Sequence, residues 1–362
     1  TVVSSIASTL QKPQTLGLSA FMVSAAASAY IAGAVVGALG FGYLTDKLGR
    51  KKLFLVTLGW YTVFTVMTAF SWGFLPFVLF RFGTGLGIGG EYAAINSAVD
   101  ELIPARRRGQ VDLSINSTWW LGSVGASLVT VVFLNLLPAG IGWRAVFGLG
   151  AVLACAVLLV RRFVPESPRW LITHGRHQEA EEIVRDIEAT VERQAGRPLQ
   201  EPSGARVTLD ALRRTGFADV VHTMLKKYPE RTALGLSLMV TQAFLYNAVF
   251  FTQSLVLSNF FKVPSNQVAL YIIPLAIGNL VGPWVLGRFF DVVGRKPMIA
   301  GTYILSGGLL IATGFLFKAG MLSATSITLA WMVIFFFASC GASAAYPVSY
   351  THLRAHETGR NL

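Results

Sequence analysis

Two charged side chains, Arg81 and Glu91, lie within one apolar stretch of the chain, Phe77 to Val99. A charge inside a membrane helix is costly, so such residues usually line a pathway or pair with another charge. Their ten-residue separation spans about 15 Å of helix, too far for a direct ion pair. A carboxyl group in a low-dielectric site can exchange a proton near neutral pH. Arg81 and Glu91 are therefore candidate functional residues. The structural alternatives are an interhelical ion pair for Glu91 and a side chain that snorkels to the outer interface for Arg81.

A short basic turn occurs twice in the chain. The segments 42–52 (GYLTDKLGRKK) and 287–296 (GRFFDVVGRK) both fit G-x-x-x-D-x-x-G-R-K and are 245 residues apart. In each copy an acid, Asp46 or Asp291, ends an apolar run, and a glycine then permits a tight reversal. An acid so close to a membrane is expected to pair with an arginine or with the positive end of a helix. A single copy is equally compatible with a plain basic anchor loop, but two matching copies indicate an internally duplicated membrane bundle.

The composition indicates a membrane protein. Of 362 residues, 53% are hydrophobic and only 13% are charged, whereas a soluble chain carries about 25% charged residues. The net charge of +12 is explained better by the positive-inside rule than by nucleic-acid binding, because the basic residues lie in short loops between apolar runs. The two cysteines, Cys155 and Cys340, fall within apolar runs and form no disulfide or metal-binding pattern.

The apolar runs predict an all-α polytopic protein, because most are close to the length of about 20 residues that spans a bilayer. The first predicted element, Thr1 to Leu10, is the outer end of a helix. Nine further spans follow: Leu18–Leu44, Leu53–Trp72, Phe77–Val99, Gln110–Leu137, Trp143–Val160, Thr232–Phe261, Val268–Leu286, Met298–Phe317 and Ile327–Val348. The run Leu18–Leu44 is rich in alanine and glycine, which predicts close packing inside a bundle.

A polar, charged segment separates the two groups of spans. Its apolar residues at helical spacing predict an amphipathic helix on the bundle or the membrane surface, or equally a solvated linker helix; they are Ala180, Ile183, Val184, Ile187 and Val191. The predicted domains are an N-terminal bundle (1–163), a linker (164–231), a C-terminal bundle (232–350) and a tail (351–362). Loop charges and the even number of preceding spans place the linker and the basic loops in the cytoplasm.

Taken together, these motifs resemble the major facilitator superfamily, most closely its sugar-porter and metabolite–proton symporter branches. Three patterns carry the resemblance over nearly the whole chain up to about Thr351: the two basic turns; Arg81 followed by Glu101, Pro104, Arg108 and Gly109; and Pro165, Glu166, Ser167, Pro168 and Arg169. The resemblance implies a major facilitator fold of twelve helices in two pseudo-symmetric bundles, of which about ten helices are expected here. The segment after Tyr350 departs from the family pattern and is expected to be a loop or a non-native tail.

The resemblance also implies two groups of functional residues. A cytoplasmic charge network that closes the inner gate would comprise Asp46, Arg50, Glu101, Arg108, Glu166, Arg169, Asp291 and Arg295. A central substrate site would comprise Asn116, Trp119, Gln242, Tyr246, Asn247 and Phe251. Amides and aromatic rings suit a hydroxyl-rich or other polar solute. Tyr246 replaces a small residue and Asn116 replaces a glutamine of the sugar porters, which argues against a common hexose. In proton-coupled members an acid of helix 1 pairs with the arginine that Arg81 matches. The GGEY sequence at Gly89 to Tyr92 resembles relatives that place an acid in helix 4, which makes Glu91 a candidate proton carrier.

The predicted function is secondary active transport of a small polar organic solute, such as a sugar, polyol or sugar acid, by alternating access and proton symport. The alternatives are a uniporter or exporter on the same fold, or a nutrient sensor that does not transport. The patterns HExxH, GxSxG and GxxxxGK[ST] are absent from the sequence, which argues against an enzyme or an ATP-driven pump. The expected partners are the lipid bilayer of a plasma or inner membrane, the solute and a proton, with no nucleic acid, cofactor or metal, and the expected state is a monomer.

Overall fold

The computed structural model describes residues 2–102, 105–161, 165–199 and 217–358. Within these ranges, the side chains of some helical residues lie outside the description: 46, 92–117, 158, 160, 161, 217, 218, 220, 288, 290, 291, 295 and 343–358. The described elements are helical throughout.

Six helices make up the first half of the chain, and four long helices make up the described part of the second half. The first six are α1 (Val2–Leu10), α2 (Ala20–Leu48), α3 (Arg50–Ala69), α4 (Phe74–Leu102), α5 (Ala105–Leu136) and α6 (Ala139–Arg161). Between the halves lie α7 (Pro168–Thr173), α8 (His177–Ala195), α9 (Phe217–His222) and a π-helical turn, Thr223–Lys227. The second half comprises α10 (Pro229–Asn259), a 3-10 turn (Val268–Tyr271), α11 (Ile272–Val292), α12 (Arg295–Lys318) and α13 (Ala324–Thr358).

Long apolar helices dominate the described residues. Eight segments are long and apolar enough to cross a membrane: Ala20–Thr45, Arg50–Ala69, Thr118–Leu136, Ala139–Val157, Pro229–Asn259, Val268–Gly287, Lys296–Lys318 and Ala324–Ala342. This is the architecture of a multi-pass membrane protein. Eight of the nine predicted spans overlap these eight segments, and the ninth, Phe77–Val99, lies within α4; the ends differ by several residues.

Glycines bring α2 and α4 into backbone contact. Gly33 and Gly37 on α2 face the carbonyl oxygens of Phe82 and Leu86 on α4, and a Cβ atom at either glycine would overlap those oxygens. The contact is reciprocal, because the α4 glycines at 85 and 89 face the α2 carbonyls of residues 30 and 34 in the same way. Small-xxx-small spacing on both helices is the usual means of close approach in a membrane. It holds α4, and with it Arg81 and Glu91, firmly against α2.

The second half repeats this packing. Gly278 and Gly282 on α11 face the carbonyl oxygens of Met332 and Phe336 on α13, again with no room for a Cβ atom. These two glycines lie 245 residues after Gly33 and Gly37, the same offset as the two basic turns. The internal duplication therefore extends from the turns into the helix-packing surfaces.

The two halves meet along α1, α2 and α5 on one side and α10 and α11 on the other. α1 is buried almost completely, and its side chains form one apolar cluster with residues of α2, α4 and α6 and with Leu255 of α10. At the end opposite the basic turns, the Asn266 side chain donates a 2.8 Å hydrogen bond to Oδ1 of Asn135. The halves are therefore in direct contact at that end.

The amphipathic segment forms α8, as its spacing predicts. Ala180 is buried, whereas Val184, Ile187 and Val191 are each about 40% exposed. The helix therefore rests on the rest of the chain only near its beginning, where it packs against α7. At the other end of the chain, α13 continues as a helix to Thr358. This helix includes much of the segment 351–362, for which a loop or tail is predicted from the sequence. Leucine, arginine, alanine and glutamate favour helix, and the next glycine is at position 359.

Candidate functional site

The first basic turn is bound to the segment that follows α6. Gly49 joins α2 to α3 with φ of +90°, a conformation that side chains disfavour. The Glu166 carboxylate accepts hydrogen bonds from the backbone N–H groups of Arg50 (3.0 Å) and Lys51 (3.2 Å) at the start of α3. A Cβ atom at Gly49 would lie 2.6 Å from Oε2 of Glu166. Glu166 therefore caps the positive end of α3, and it can approach only because residue 49 is a glycine.

The same contact continues into α7. Nη1 of Arg50 donates a 3.0 Å hydrogen bond to Oγ of Ser167. That oxygen also accepts from the backbone N–H of Trp170, and so caps α7. The turn between α2 and α3 is thus joined to α7 by side chains more than a hundred residues away in sequence.

Removal of the Glu166 carboxylate should loosen this end of α3. We expect Glu166→Ala to lower the free energy of unfolding by about 1–2 kcal/mol, the usual effect of losing an N-cap acceptor. The measurement is the thermal unfolding midpoint of the purified protein in detergent. Glu181→Ala, at an exposed position on α8, is the matched control and should leave the midpoint unchanged. Equal midpoints for the two variants would contradict the capping role.

The other members of the predicted charge network are placed as follows. Arg169 is exposed on α7. At the second turn, Gly294 precedes α12 with φ of +105°, and no side chain caps that helix among the described residues. The side chains of the remaining five members lie outside the described residues: Asp46, Glu101, Arg108, Asp291 and Arg295. The structure therefore brings together Arg50 and Glu166, while the wider network stays a prediction.

Arg81 lies deep in the first half. Its side chain is 7% exposed, and its guanidinium carbon lies 4.3 Å from the ring centroid of Tyr30 on α2. Its Nε has no hydrogen-bond partner among the described residues. A ring face beside a desolvated guanidinium is a favourable cation–π contact. The same Tyr30 ring also contacts Phe251 of α10, so it connects Arg81 with the second half of the chain.

Two tyrosines connect Arg81 electrostatically with Glu91. Tyr30 on α2 and Tyr61 on α3 flank α4 between the two charged residues, because their backbones face Gly85 and Gly87 respectively. Both hydroxyl groups interact electrostatically with Arg81 and with Glu91. The Glu91 side chain is half-buried. The two tyrosines therefore place polar groups beside α4 between Arg81 and Glu91.

Aromatic side chains from both halves meet between them. Tyr30 contacts Phe251 of α10 edge to face, with ring centroids 6.4 Å apart. Trp120 of α5 contacts Tyr246 of α10 at 6.1 Å, and Tyr246 contacts Phe335 of α13 at 5.0 Å. Two of the predicted site residues, Tyr246 and Phe251, therefore lie where the halves join.

The remaining predicted site residues lie nearby or outside the description. Gln242 is half-buried on α10, and its Oε1 has no hydrogen-bond partner among the described residues. Nδ2 of Asn247 donates to the carbonyl of Ala243 in its own helix. Trp119 is 39% exposed, and its neighbour Trp120 makes the ring contacts with α10. The side chain of Asn116 lies outside the described residues.

Two further amide side chains, Asn279 and Gln253, are buried inside the second half. Asn279 on α11 is fully buried; its Nδ2 donates to the carbonyl of Leu275, and its Oδ1 has no hydrogen-bond partner among the described residues. Gln253 on α10 is also fully buried, and it donates to the carbonyl of Tyr271 while its Oε1 is similarly unsatisfied. A buried polar atom without a hydrogen-bond partner costs free energy. Both amides could have been recognised from the sequence, because each is a polar residue within a predicted apolar span.

Comparison with known proteins gives consistent results. The profile of the family described as "Sugar (and other) transporter" matches residues 4–352. The niacin transporter NiaP of Acinetobacter baylyi is 37% identical over 167 residues, which are 46% of this chain and 36% of that protein. The major myo-inositol transporter IolT of Bacillus subtilis is 26% identical over 298 residues, 80% of this chain and 60% of IolT. The chain thus spans less than two thirds of the length of these two relatives.

A solved structure has the same fold. The xylose transporter XylE from E. coli, in a partially occluded inward-open conformation, superposes with a TM-score of 0.71. The superposition covers 97% of this chain and 80% of XylE, at 22% sequence identity. The helix order, the duplicated packing and the family profile agree, and the chain belongs to the sugar and other transporter family of the major facilitator superfamily.

Proposed function

We propose that the full-length protein is a secondary active transporter. It moves a small polar organic solute, such as a sugar, polyol or sugar acid, by alternating access, coupled to a proton that moves in the same direction. The observation that carries the proposal is the meeting of aromatic side chains from both halves at Tyr30, Trp120, Tyr246 and Phe251. A site built by two halves can be opened to either side of the membrane when the halves rock against each other.

The proposed substrate contacts lie on the side chains that border this junction. Asn116, Gln242 and Asn247 would bind hydroxyl or carbonyl groups, and the fully buried Asn279 of α11 is a further candidate. Trp119, Tyr246 and Phe251 would supply apolar surface, with Trp120 as the better-placed tryptophan. Such a mixture of ring surface and a few polar groups is typical of sites for small organic molecules. The names of NiaP, IolT and XylE refer to niacin, myo-inositol and xylose, all small polar organic solutes.

The proposed gate is the end of the molecule that carries the basic turns. At this gate, Glu166 and Arg50 join the turn between α2 and α3 to α7. The further proposed members of the gate are Asp46, Glu101, Arg108, Arg169, Asp291 and Arg295. We place this end and the linker in the cytoplasm, because their excess of lysine and arginine follows the positive-inside rule. Contacts of this kind close one end and must break when it opens.

The decisive experiment is solute uptake by the full-length protein in proteoliposomes. Xylose, myo-inositol, mannitol, gluconate and nicotinate are offered with and without an inward proton gradient. Accumulation above equilibrium only with the gradient is the expected result, and it identifies the solute class as well as the coupling. Equilibration without accumulation would contradict symport in favour of a uniporter. Absence of uptake by folded protein would contradict import altogether and favour an exporter or a sensor.

A further inference from the structure

We propose that Gln253 is a positioning residue for the contact that closes the far end of the molecule, the end opposite the basic turns. Its side chain holds the 3-10 turn Val268–Tyr271 of the second half in the place where this turn meets the first half. The inference rests on the alternating access proposed above. It assigns a residue to one of the two gates that such a mechanism requires.

The 3-10 turn stands between the two halves at the far end. It touches α1 and α5 of the first half as well as α10 and α11 of its own half. Within the turn, Val268 and Ala269 are fully buried. Just before it, Asn266 donates its hydrogen bond to Asn135 at the end of α5. Opening of the far end therefore requires the turn to leave α1 and α5.

Gln253 connects this turn to α10. The Gln253 side chain is 0% exposed, and its Nε2 donates a 2.8 Å hydrogen bond to the carbonyl oxygen of Tyr271, the last residue of the turn. The two residues are 18 positions apart and belong to different elements. A hydrogen bond in a buried, low-dielectric place is stronger than one exposed to water. Gln253 therefore fixes the position of the turn relative to α10.

The same stretch of α10 carries the rings that meet the first half. Phe250, three residues before Gln253, contacts Trp120 of α5 at 6.1 Å between ring centroids. Phe251 contacts Tyr30 of α2 at 6.4 Å. This part of α10 thus contacts the first half directly through its rings and, at the far end, through the turn that Gln253 holds. A movement of α10 at the ring junction is transmitted to the far end through one side chain.

The physical effect of the Gln253 hydrogen bond is preorganisation. A turn that is already held in the position that fits α1 and α5 loses little conformational freedom when the halves close. Without the bond the turn occupies that position for only part of the time, and the closure equilibrium falls by the same fraction. One net hydrogen bond corresponds to about 2- to 10-fold in an equilibrium constant. Loss of the bond should therefore favour the open far end by about this factor.

Distances between spin labels on the full-length protein in nanodiscs test this role. One pair of labels, at the exposed residues Leu136 and Gln267, reports on the far end. A second pair, at the exposed residues Leu48 and Val292, reports on the end that carries the basic turns. Each pair joins the first half to the second and is placed in a background without other cysteines. Double electron–electron resonance gives the fraction of molecules at each distance.

Gln253→Met removes the amide and keeps the length of the side chain. It should raise the ratio of open to closed molecules at the far end about 2- to 10-fold. The end with the basic turns should close to a matching extent, because the halves rock as units. Gln253→Ala, a second variant without the amide, should give the same shift. The control is Thr252→Val, which removes a neighbouring side-chain hydrogen bond that stays within α10, to the carbonyl of Ala248; it should leave both distance distributions unchanged.

Three outcomes would overturn the inference. The first is a far-end distance distribution that is the same in both Gln253 variants as in the wild type. The second is a broader far-end distribution with no change at the basic turns, which would make the Gln253 bond a local structural contact. The third is an equal shift in Thr252→Val.

Uptake by the wild-type protein, measured in parallel, separates this inference from the proposed function. Uptake of a solute together with unchanged distances in the Gln253 variants would refute the role of Gln253 and leave transport standing. The expected shift in distances together with no uptake of xylose, myo-inositol, mannitol, gluconate or nicotinate would refute import and support the role of Gln253 in closing the far end.

Discussion

Replacing Gly37 with alanine should destabilise the protein by about 3 kcal/mol, the upper part of the usual range for overpacking a buried contact. The added Cβ would overlap the carbonyl oxygen of Leu86. That oxygen belongs to the α4 backbone, so it cannot move aside as a side chain can. The two helices would have to separate along the contact that Gly33, Gly85 and Gly89 also form.

The control lies on the same helix. A Cβ atom at Gly40 would meet nothing within 4 Å, so Gly40→Ala should be neutral or slightly stabilising, because alanine favours helix over glycine. The second half offers an independent pair: Gly282, which faces the carbonyl oxygen of Phe336, and Gly287, which has open space. Thermal unfolding midpoints in detergent compare all four variants. If the variants within each pair were equally stable, the glycine contacts would not be what holds these helices together.

Replacing Glu91 with glutamine should abolish uptake against a concentration gradient while leaving equilibrium exchange of solute intact. Glutamine has nearly the same shape as glutamate but cannot carry a proton at physiological pH. One pH unit of gradient, used by one proton per solute, supports about tenfold accumulation. In Glu91→Gln this ratio should fall to about one. Binding of the solute should change far less, because the proposed substrate contacts lie on other residues.

The structure supports this prediction through the surroundings of Glu91. The side chain is half-buried on α4 and interacts electrostatically with Tyr30 and Tyr61, the same two residues that interact with Arg81. A proton on Glu91 therefore changes the electric field around Tyr30 and Tyr61, next to Arg81. Uptake driven by a pH gradient and exchange at equal pH are measured in parallel. Glu181→Gln, exposed on α8, makes the same chemical change elsewhere and should behave as wild type; full accumulation by Glu91→Gln would reduce Glu91 to a structural ion pair.

The fold was predictable because its signals are local. A membrane span can be identified from its length and hydropathy alone. The described helices α2 to α6 and α10 to α13 lie where the apolar runs predict them. The repeated basic turn needs only a short pattern and a glycine, and both copies adopt positive φ at that glycine, +90° at Gly49 and +105° at Gly294. The family assignment followed from the same patterns.

The contacts of particular side chains were much less predictable. Whether Trp119 or Trp120 faces α10 depends on the rotation of α5 about its own axis, because neighbouring residues on a helix point about 100° apart. Glu166 was expected in a charge network, but its role as the cap of α3 depends on backbone N–H groups at Arg50 and Lys51, which no sequence pattern reveals. The large gap in sequence between these residues makes such a contact a property of the folded chain.

The sequence by itself determined that the chain is a duplicated helical membrane protein with a charged pair, Arg81 and Glu91, inside one span. Only the tertiary structure decided which surfaces touch: that α4 lies backbone to backbone against α2 and that Tyr30 covers Arg81. It also decided that rings from both halves meet at Phe251 and Tyr246. The physical reason is that the hydropathy of a span depends only on consecutive residues. Packing, burial and the loss of hydration depend on neighbours that folding brings together from distant positions.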